Sequence, residues 1–220
     1  MGQLAVTAIT DFMLASEALF FAGRLVQLPK QRCSAAWYWS AAMTLLGFAA
    51  LIGGIDHGFV EMQGLERVPI QRANWLVVGA MTACVLMTAV TQFLPWRLSR
   101  VALGIALLQF GLYAVAVFVI RGFFVVIANY APVMLLLLVL SLRGLGSGRG
   151  SLPMIAGIAI QFVASGVQAS GVDAFTPLDH NGLYHLISMV GVVFLFHGGR
   201  HLDPRAPASD RAEPSQPEPS

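Results

Sequence analysis

Long apolar runs alternate with short polar breaks along almost the whole chain, and the spacing predicts helices over about 4–26, 35–58, 73–94, 99–120, 122–142, 152–171 and 180–200. The breaks are QLPKQRCS, EMQGLERVPIQR, PWRLSR, the Arg121-Gly122 pair, RGLGSGRGSLP and GVDAFTPLD, each carrying Gly, Pro or charge. A helix needs roughly 20 apolar residues to cross the hydrocarbon core, and each run supplies about that. The expected fold is therefore an all-α bundle of seven transmembrane helices over residues 1–202. From Asp203 the pattern changes to DPRAPASDRAEPSQPEPS, which has almost nothing to bury and predicts a disordered cytoplasmic tail over 203–220.

Composition strengthens the membrane reading: 57% of residues are hydrophobic, 11% are charged, and the mean hydropathy is +0.73. No basic region precedes the first run, which itself contains Asp11 and Glu17, so it reads as a retained helix and not as a cleaved signal. Lysine and arginine set the orientation. Lys30 and nine arginines fall on one side of the spans, and only Arg67, Arg72 and Arg121 on the other, which predicts an outside N-terminus and a cytoplasmic C-terminus. A net charge of +2 gives no basic patch for nucleic acid, which is excluded as a partner. Cys33 and Cys84 lie at different depths and form no disulfide framework. Twelve arginines against one lysine suggest a GC-rich bacterial genome, and hence a multi-pass protein of the bacterial inner membrane.

Ionisable side chains inside a bilayer cost a few kcal/mol each, so their positions are informative. Asp11 and Glu17 lie in the first span, Asp56 and His57 at the outer end of the second, and Asn74 at the start of the third. The sixth brings Gln161 and Gln168, and the seventh opens with Asp179, His180 and Asn181 before reaching His185. With alternating directions, these residues converge on the outer leaflet. Asp179 also suits an N-cap, Gln109 and Asn129 suit an interhelical hydrogen bond, and Gly53 and Gly54 suit close packing. His197 and His201 belong to the opposite end.

Three imidazoles and a water make the open zinc arrangement used in hydrolysis. His57, His180 and His185 supply the imidazoles, while Asp11, Glu17 or Asp56 supplies a carboxylate to hold the water. Residues five apart on a helix differ by about 140°, so His180 joins His185 only from a non-helical lead-in. The pattern resembles the seven-span membrane hydrolases that include the alkaline ceramidases and the adiponectin-receptor-like proteins. Those carry Ser-x-x-x-His on the second span and His-x-x-x-His on the seventh. Here Gly53 to His57 and Asn181 to His185 are the counterparts, with Gly53 in place of Ser and Asn181 in place of the first His. The resemblance implies a zinc-dependent hydrolase acting on a lipid amide or ester, with membrane lipid as its substrate. One alternative is a b-type membrane cytochrome with haem between His57 and His185. Another is a non-enzymatic transporter or sensor whose buried polar site relays protons. A retinal protein is excluded because the only lysine, Lys30, lies in the first cytoplasmic loop.

Overall fold

The computed structural model describes residues 2–173 and 176–205. These residues form seven long helices: α1 (Gln3–Val26), α2 (Ala35–Ile55), α3 (Val68–Phe93), α4 (Trp96–Val119), α5 (Phe124–Gly144), α6 (Leu152–Ser170) and α7 (His180–Gly199). All seven are long and apolar enough to cross a membrane, the architecture of a multi-pass integral membrane protein. The α2 helix runs on through a π-helical turn, Asp56–Glu61, so its continuous span is Ala35–Glu61. That extension goes three residues past the end expected from hydropathy, and the widened turn carries Asp56 and His57.

The third helix also starts earlier than its apolar run suggests, at Val68 and not near residue 73. Gln71 and Arg72 mask the start in a hydropathy reading, but Pro69 sits in the first turn, where a missing N–H costs nothing. Serine and aspartate side chains fix other starts. Ser34 accepts from Trp37 N at 3.1 Å, Ser151 from Met154 N at 3.3 Å and Asp179 from Gly182 N at 2.7 Å. At the other end of α1, Lys30 Nζ donates to the carbonyls of Leu25, Val26 and Leu28.

Helices α1, α2, α3, α5, α6 and α7 surround a central cavity, and α4 packs outside them, chiefly on α3. The side of α4 away from the bundle is apolar and exposed, with Ile105, Leu108, Leu112, Val115 and Val119 facing outward. Small residues let α6 and α7 approach closely: a Cβ on Gly198 would fall 2.7 Å from the Met154 backbone, and one on Gly157 2.7 Å from Leu195. The apolar core includes Leu137, Ile158 and Val192, with Leu14, Met43 and Val85 of the same cluster lining the cavity. Gln109 Nε2 donates to Asn129 Oδ1 at 3.0 Å, the interhelical bond expected of that pair. Cys33 and Cys84 are both free thiols.

The starts of α1, α3, α5 and α7 meet the ends of α2, α4 and α6 at one end of the bundle, here the mouth end. The opposite end receives the chain after α7. Asp203 N donates to Gln92 Oε1 at 2.9 Å, Gln31 N to the Pro204 carbonyl at 2.7 Å, and Ala36 N to the Asp203 carbonyl at 3.2 Å. The first residues of the expected disordered tail are therefore docked, because the Gln92 side chain on α3 and backbone N–H groups of the α1–α2 loop and the start of α2 capture them. Residues 206–220 of that tail lie outside the described residues.

Candidate functional site

On α1, Thr7, Thr10 and Asp11 sit three and four residues apart, so they share one face; on α7, Gly182 and His185 lie three apart, next to the N-cap Asp179. The two faces meet at the mouth end. Asp179 Oδ1, having capped α7, also accepts from Thr7 Oγ1 at 2.9 Å. His185 is buried, with Nδ1 3.0 Å from Thr10 Oγ1 and Nε2 3.1 Å from Asp11 Oδ1.

The directions of these bonds follow from counting hydrogens. A hydroxyl has one, and Thr10 Oγ1 lies 2.8 Å from the Thr7 carbonyl, which only accepts. That hydrogen is spent there. Thr10 must therefore accept from His185, which places the N–H on Nδ1 and, in the neutral ring, leaves a lone pair on Nε2. The lone pair faces a carboxylate oxygen at hydrogen-bond distance, so a positive centre lies between them; in the metal-free pair it is a proton. The second carboxylate oxygen, Asp11 Oδ2, is buried and has no hydrogen-bond partner among the described residues. Such an acceptor, desolvated and unsatisfied, is a site for a donor from water or substrate.

Gly53 is what admits Asp11. A Cβ at this position would lie 2.9 Å from Asp11 Oδ1 and 3.3 Å from its Cγ, so the carboxylate occupies the volume of a side chain on α2. A side chain at position 53 would therefore compete with Asp11 of α1 for the same space. Asn181 Oδ1 accepts from Gln168 Nε2 at 3.3 Å and ties α7 to α6.

A second polar cluster closes the mouth. Arg67 donates from Nε and Nη2 to the two oxygens of Asp56, at 3.0 and 2.8 Å, and its Nη1 pairs with Glu61. The Asp56 carboxylate holds the Arg67 guanidinium above its ordinary range. His57 Nδ1 lies 2.6 Å from Glu61 Oε2, one turn away on the π-helical segment. Between the two clusters is a cavity of about 340 Å³. Asp11, Asp56, His57, Arg67 and His185 line its polar part; Leu14, Met43, Ala50 and Val85 line the apolar part that continues into the bundle. An amphiphile with its polar end at the mouth fits this division.

Of the residues expected from the sequence, Asp11, Asp56, His57 and His185 come together around this cavity. Asp56 is buried against Arg67 and both of its oxygens are engaged, which removes it as a free base. Glu17 is half-buried on α1 beyond the lining, with Oε2 unpartnered. His180 also stands apart. It is the first residue of α7, so the helical phase difference from His185 applies, and its Nδ1 and backbone N both engage Asp173 Oδ1, at 2.8 and 2.9 Å. His180 in turn holds the Asp173 carboxyl below its usual range. The set His57, His180 and His185 is thus not assembled. Among the described residues no three His, Cys, Asp or Glu side chains are placed to hold one metal ion.

Thr7, Thr10 and Arg67 are site residues that the sequence reading passes over. Threonines at positions 7, 10 and an acid at 11 on one face of a helix were the available signal for the first two. Arg67 lies in a loop, where sequence spacing says nothing of its partner.

No curated protein and no solved structure matches the chain. A family profile matches residues 6–204, nearly the whole bundle, and the chain belongs to that family, described as "Family of unknown function (DUF6962)".

Proposed function

We propose that the protein is a membrane hydrolase of lipid amide or ester bonds, with the Asp11–His185 pair as its proton-transfer centre. The observation that carries this reading is the unpartnered, buried Asp11 Oδ2 beside a histidine whose tautomer is fixed, both on the wall of a cavity with a polar mouth and an apolar interior. The resemblance of the second and seventh spans to ceramidase-like hydrolases points the same way. The arginine asymmetry supports a mouth in the outer leaflet, and the arginine-rich composition supports a bacterial inner membrane.

In this reading the acyl chain lies along Leu14, Met43, Ala50 and Val85, and the scissile carbonyl stops beside Asp11. Asp11 Oδ2 accepts a hydrogen bond from water and takes its proton as the water oxygen attacks the acyl carbon. The proton shared with His185 passes to the leaving nitrogen or oxygen as its bond to carbon breaks. One water is consumed, and a carboxylic acid and an amine or alcohol are released. Positioned proton transfer of this kind contributes about 10²–10⁴-fold.

Zinc is the other means of activating such a water, and the residues present do not fit a three-ligand ion. His180 is committed to Asp173, and no other three-donor group exists among the described residues. Haem between His57 and His185 is disfavoured for a related reason: both ring nitrogens of His185 are already engaged, by Thr10 and Asp11.

The test is turnover of fluorogenic N-acyl and O-acyl amphiphiles by the purified full chain. Asp11→Asn and His185→Gln should each lower kcat by on the order of 10²-fold or more, with Glu17→Gln near wild type. Activity should survive chelator dialysis. Absence of turnover on both bond types, or full activity in Asp11→Asn, sinks the reading. Stoichiometric zinc retained after dialysis and lost in His57→Ala returns the three-ligand alternative.

A further inference from the structure

A second concavity, of about 670 Å³, opens at the mouth end between the start of α3 and the α4–α5 turn. Gln71, Trp75 and Phe123 line both this groove and the central cavity, so these three side chains are the partition between them. The Trp75 and Phe123 rings lie 6.3 Å apart at 59°, tilted and unstacked. The partition is therefore made of side chains, which rotate without moving a helix.

The charges on its two sides differ. Within the cavity the cation is Arg67, and its nitrogens are spent on Asp56 and Glu61. Asp11 and Asp56 add carboxylates to the same lining. An anion formed at Asp11 thus finds negative neighbours and no uncommitted positive group. The groove holds Arg72 and Arg121 against one exposed acid, Glu66. Arg72 rests over Phe118 at 5.3 Å and donates one bond among the described residues, from Nη2 to the Phe118 carbonyl at 3.3 Å. Arg121 is exposed and has no hydrogen bond or ion pair among the described residues. The walls are apolar, from Val68, Val117 and Ile120.

We infer that this groove binds the carboxylate product, a fatty acid leaving the cavity past Trp75 and Phe123, with its head on Arg72 and Arg121 and its chain along the apolar wall. The inference rests on the hydrolase reading for the origin of the acid, but the binding itself needs no turnover. A carboxylate is the group that two guanidinium forks recognise, and it is the group that amide or ester cleavage creates next to a negatively charged site.

A brominated twelve-carbon fatty acid is the probe, because bromine quenches tryptophan fluorescence on contact and Trp75 lines the groove. Titrated into full-length Asp11→Asn protein, which keeps the groove and lacks turnover, the acid should quench saturably, and Trp75→Phe should remove that quenching. Arg72→Gln with Arg121→Gln should weaken binding by at least about tenfold. The brominated alcohol of equal length should show no difference between the two proteins. Equal affinity for acid and alcohol overturns the inference, as does unchanged binding in the double variant. Displacement of the acid by phosphatidylglycerol at equal mole fraction also overturns it, assigning the arginines to a lipid headgroup. Acid binding with no hydrolysis in wild type leaves the groove standing and removes the hydrolase reading; hydrolysis without acid binding does the reverse.

Discussion

Replacing Thr10 by valine keeps the shape of the side chain and deletes one oxygen, which makes it a clean probe of the Asp11–His185 pair. In the wild type that oxygen gives its hydrogen to the Thr7 carbonyl at 2.8 Å and accepts from His185 Nδ1 at 3.0 Å. Valine leaves a buried N–H facing a methyl group, a loss of about 1–3 kcal/mol. The imidazole has one escape, which is to move its hydrogen to Nε2 and donate it to Asp11 Oδ1. The pair then holds one proton in place of two, and the one left between them is the N–H of a neutral imidazole, too weak an acid for the leaving group, so kcat should fall by on the order of 10²-fold with KM little changed. Thr10→Ser keeps the oxygen and should stay within a few-fold of wild type. Nitrogen-15 NMR of histidine-labelled protein, with His185→Gln to assign the signals, reads the same event without turnover. The wild type and Thr10→Ser should show a protonated Nδ1, and Thr10→Val a bare one. A bare Nδ1 in the wild type, or an unaltered pattern and rate in Thr10→Val, would refute the hydrogen count on which the pair is built.

Gly53→Ser restores the serine of the resembling hydrolases, but its Cβ would stand 2.9 Å from Asp11 Oδ1, so the carboxylate must be displaced; activity should fall sharply at a cost in thermal stability of about 1–3 kcal/mol. Unchanged turnover in that variant would show that Asp11 is not held where the chemistry needs it. Arg67→Gln leaves Asp56 buried and unpaired. It should destabilise the protein by about 2–3 kcal/mol, below the roughly 3–5 of a fully buried pair because Arg67 is 27% exposed. Adding Asp56→Asn should recover part of the loss in a thermal unfolding series. At the α6–α7 connection, hydrogen bonds from His180 favour the ionised form of Asp173 and lower its pKa, so the stabilisation is present above its ordinary value of 3.8 and disappears as pH falls through the lowered one. The melting difference between wild type and Asp173→Asn should accordingly be seen at neutral pH and close in strong acid.

The number, type and approximate limits of the helices were legible in the sequence, because a bilayer imposes a length and an apolar surface on every crossing segment and both are written locally. The shifts at Val68 and Glu61 arise where local polarity and local geometry disagree: a proline favourable in a first turn, and a π-helical extension that hydropathy does not register. Alternation of direction was enough to bring Asp11, Asp56, His57, His180 and His185 to one end of the bundle. It was not enough to say which of them meet. That depends on the rotation of each helix about its axis and on loop residues, which apolar patterning leaves free when the lipid-facing side and the core are equally hydrophobic. Packing turned Asp11 into the space above Gly53, gave His185 its partners, and left His180 with Asp173 outside the cavity. It also set Arg67 on Asp56 from a loop eleven residues on. The sequence alone determined a seven-helix membrane bundle with Asp11, Asp56, His57, Asp179, His180 and His185 gathered at one end and most of the arginines at the other. Only the tertiary structure decided that Asp11 meets His185, because a pair is defined by distances between helices and no periodicity within one helix contains them.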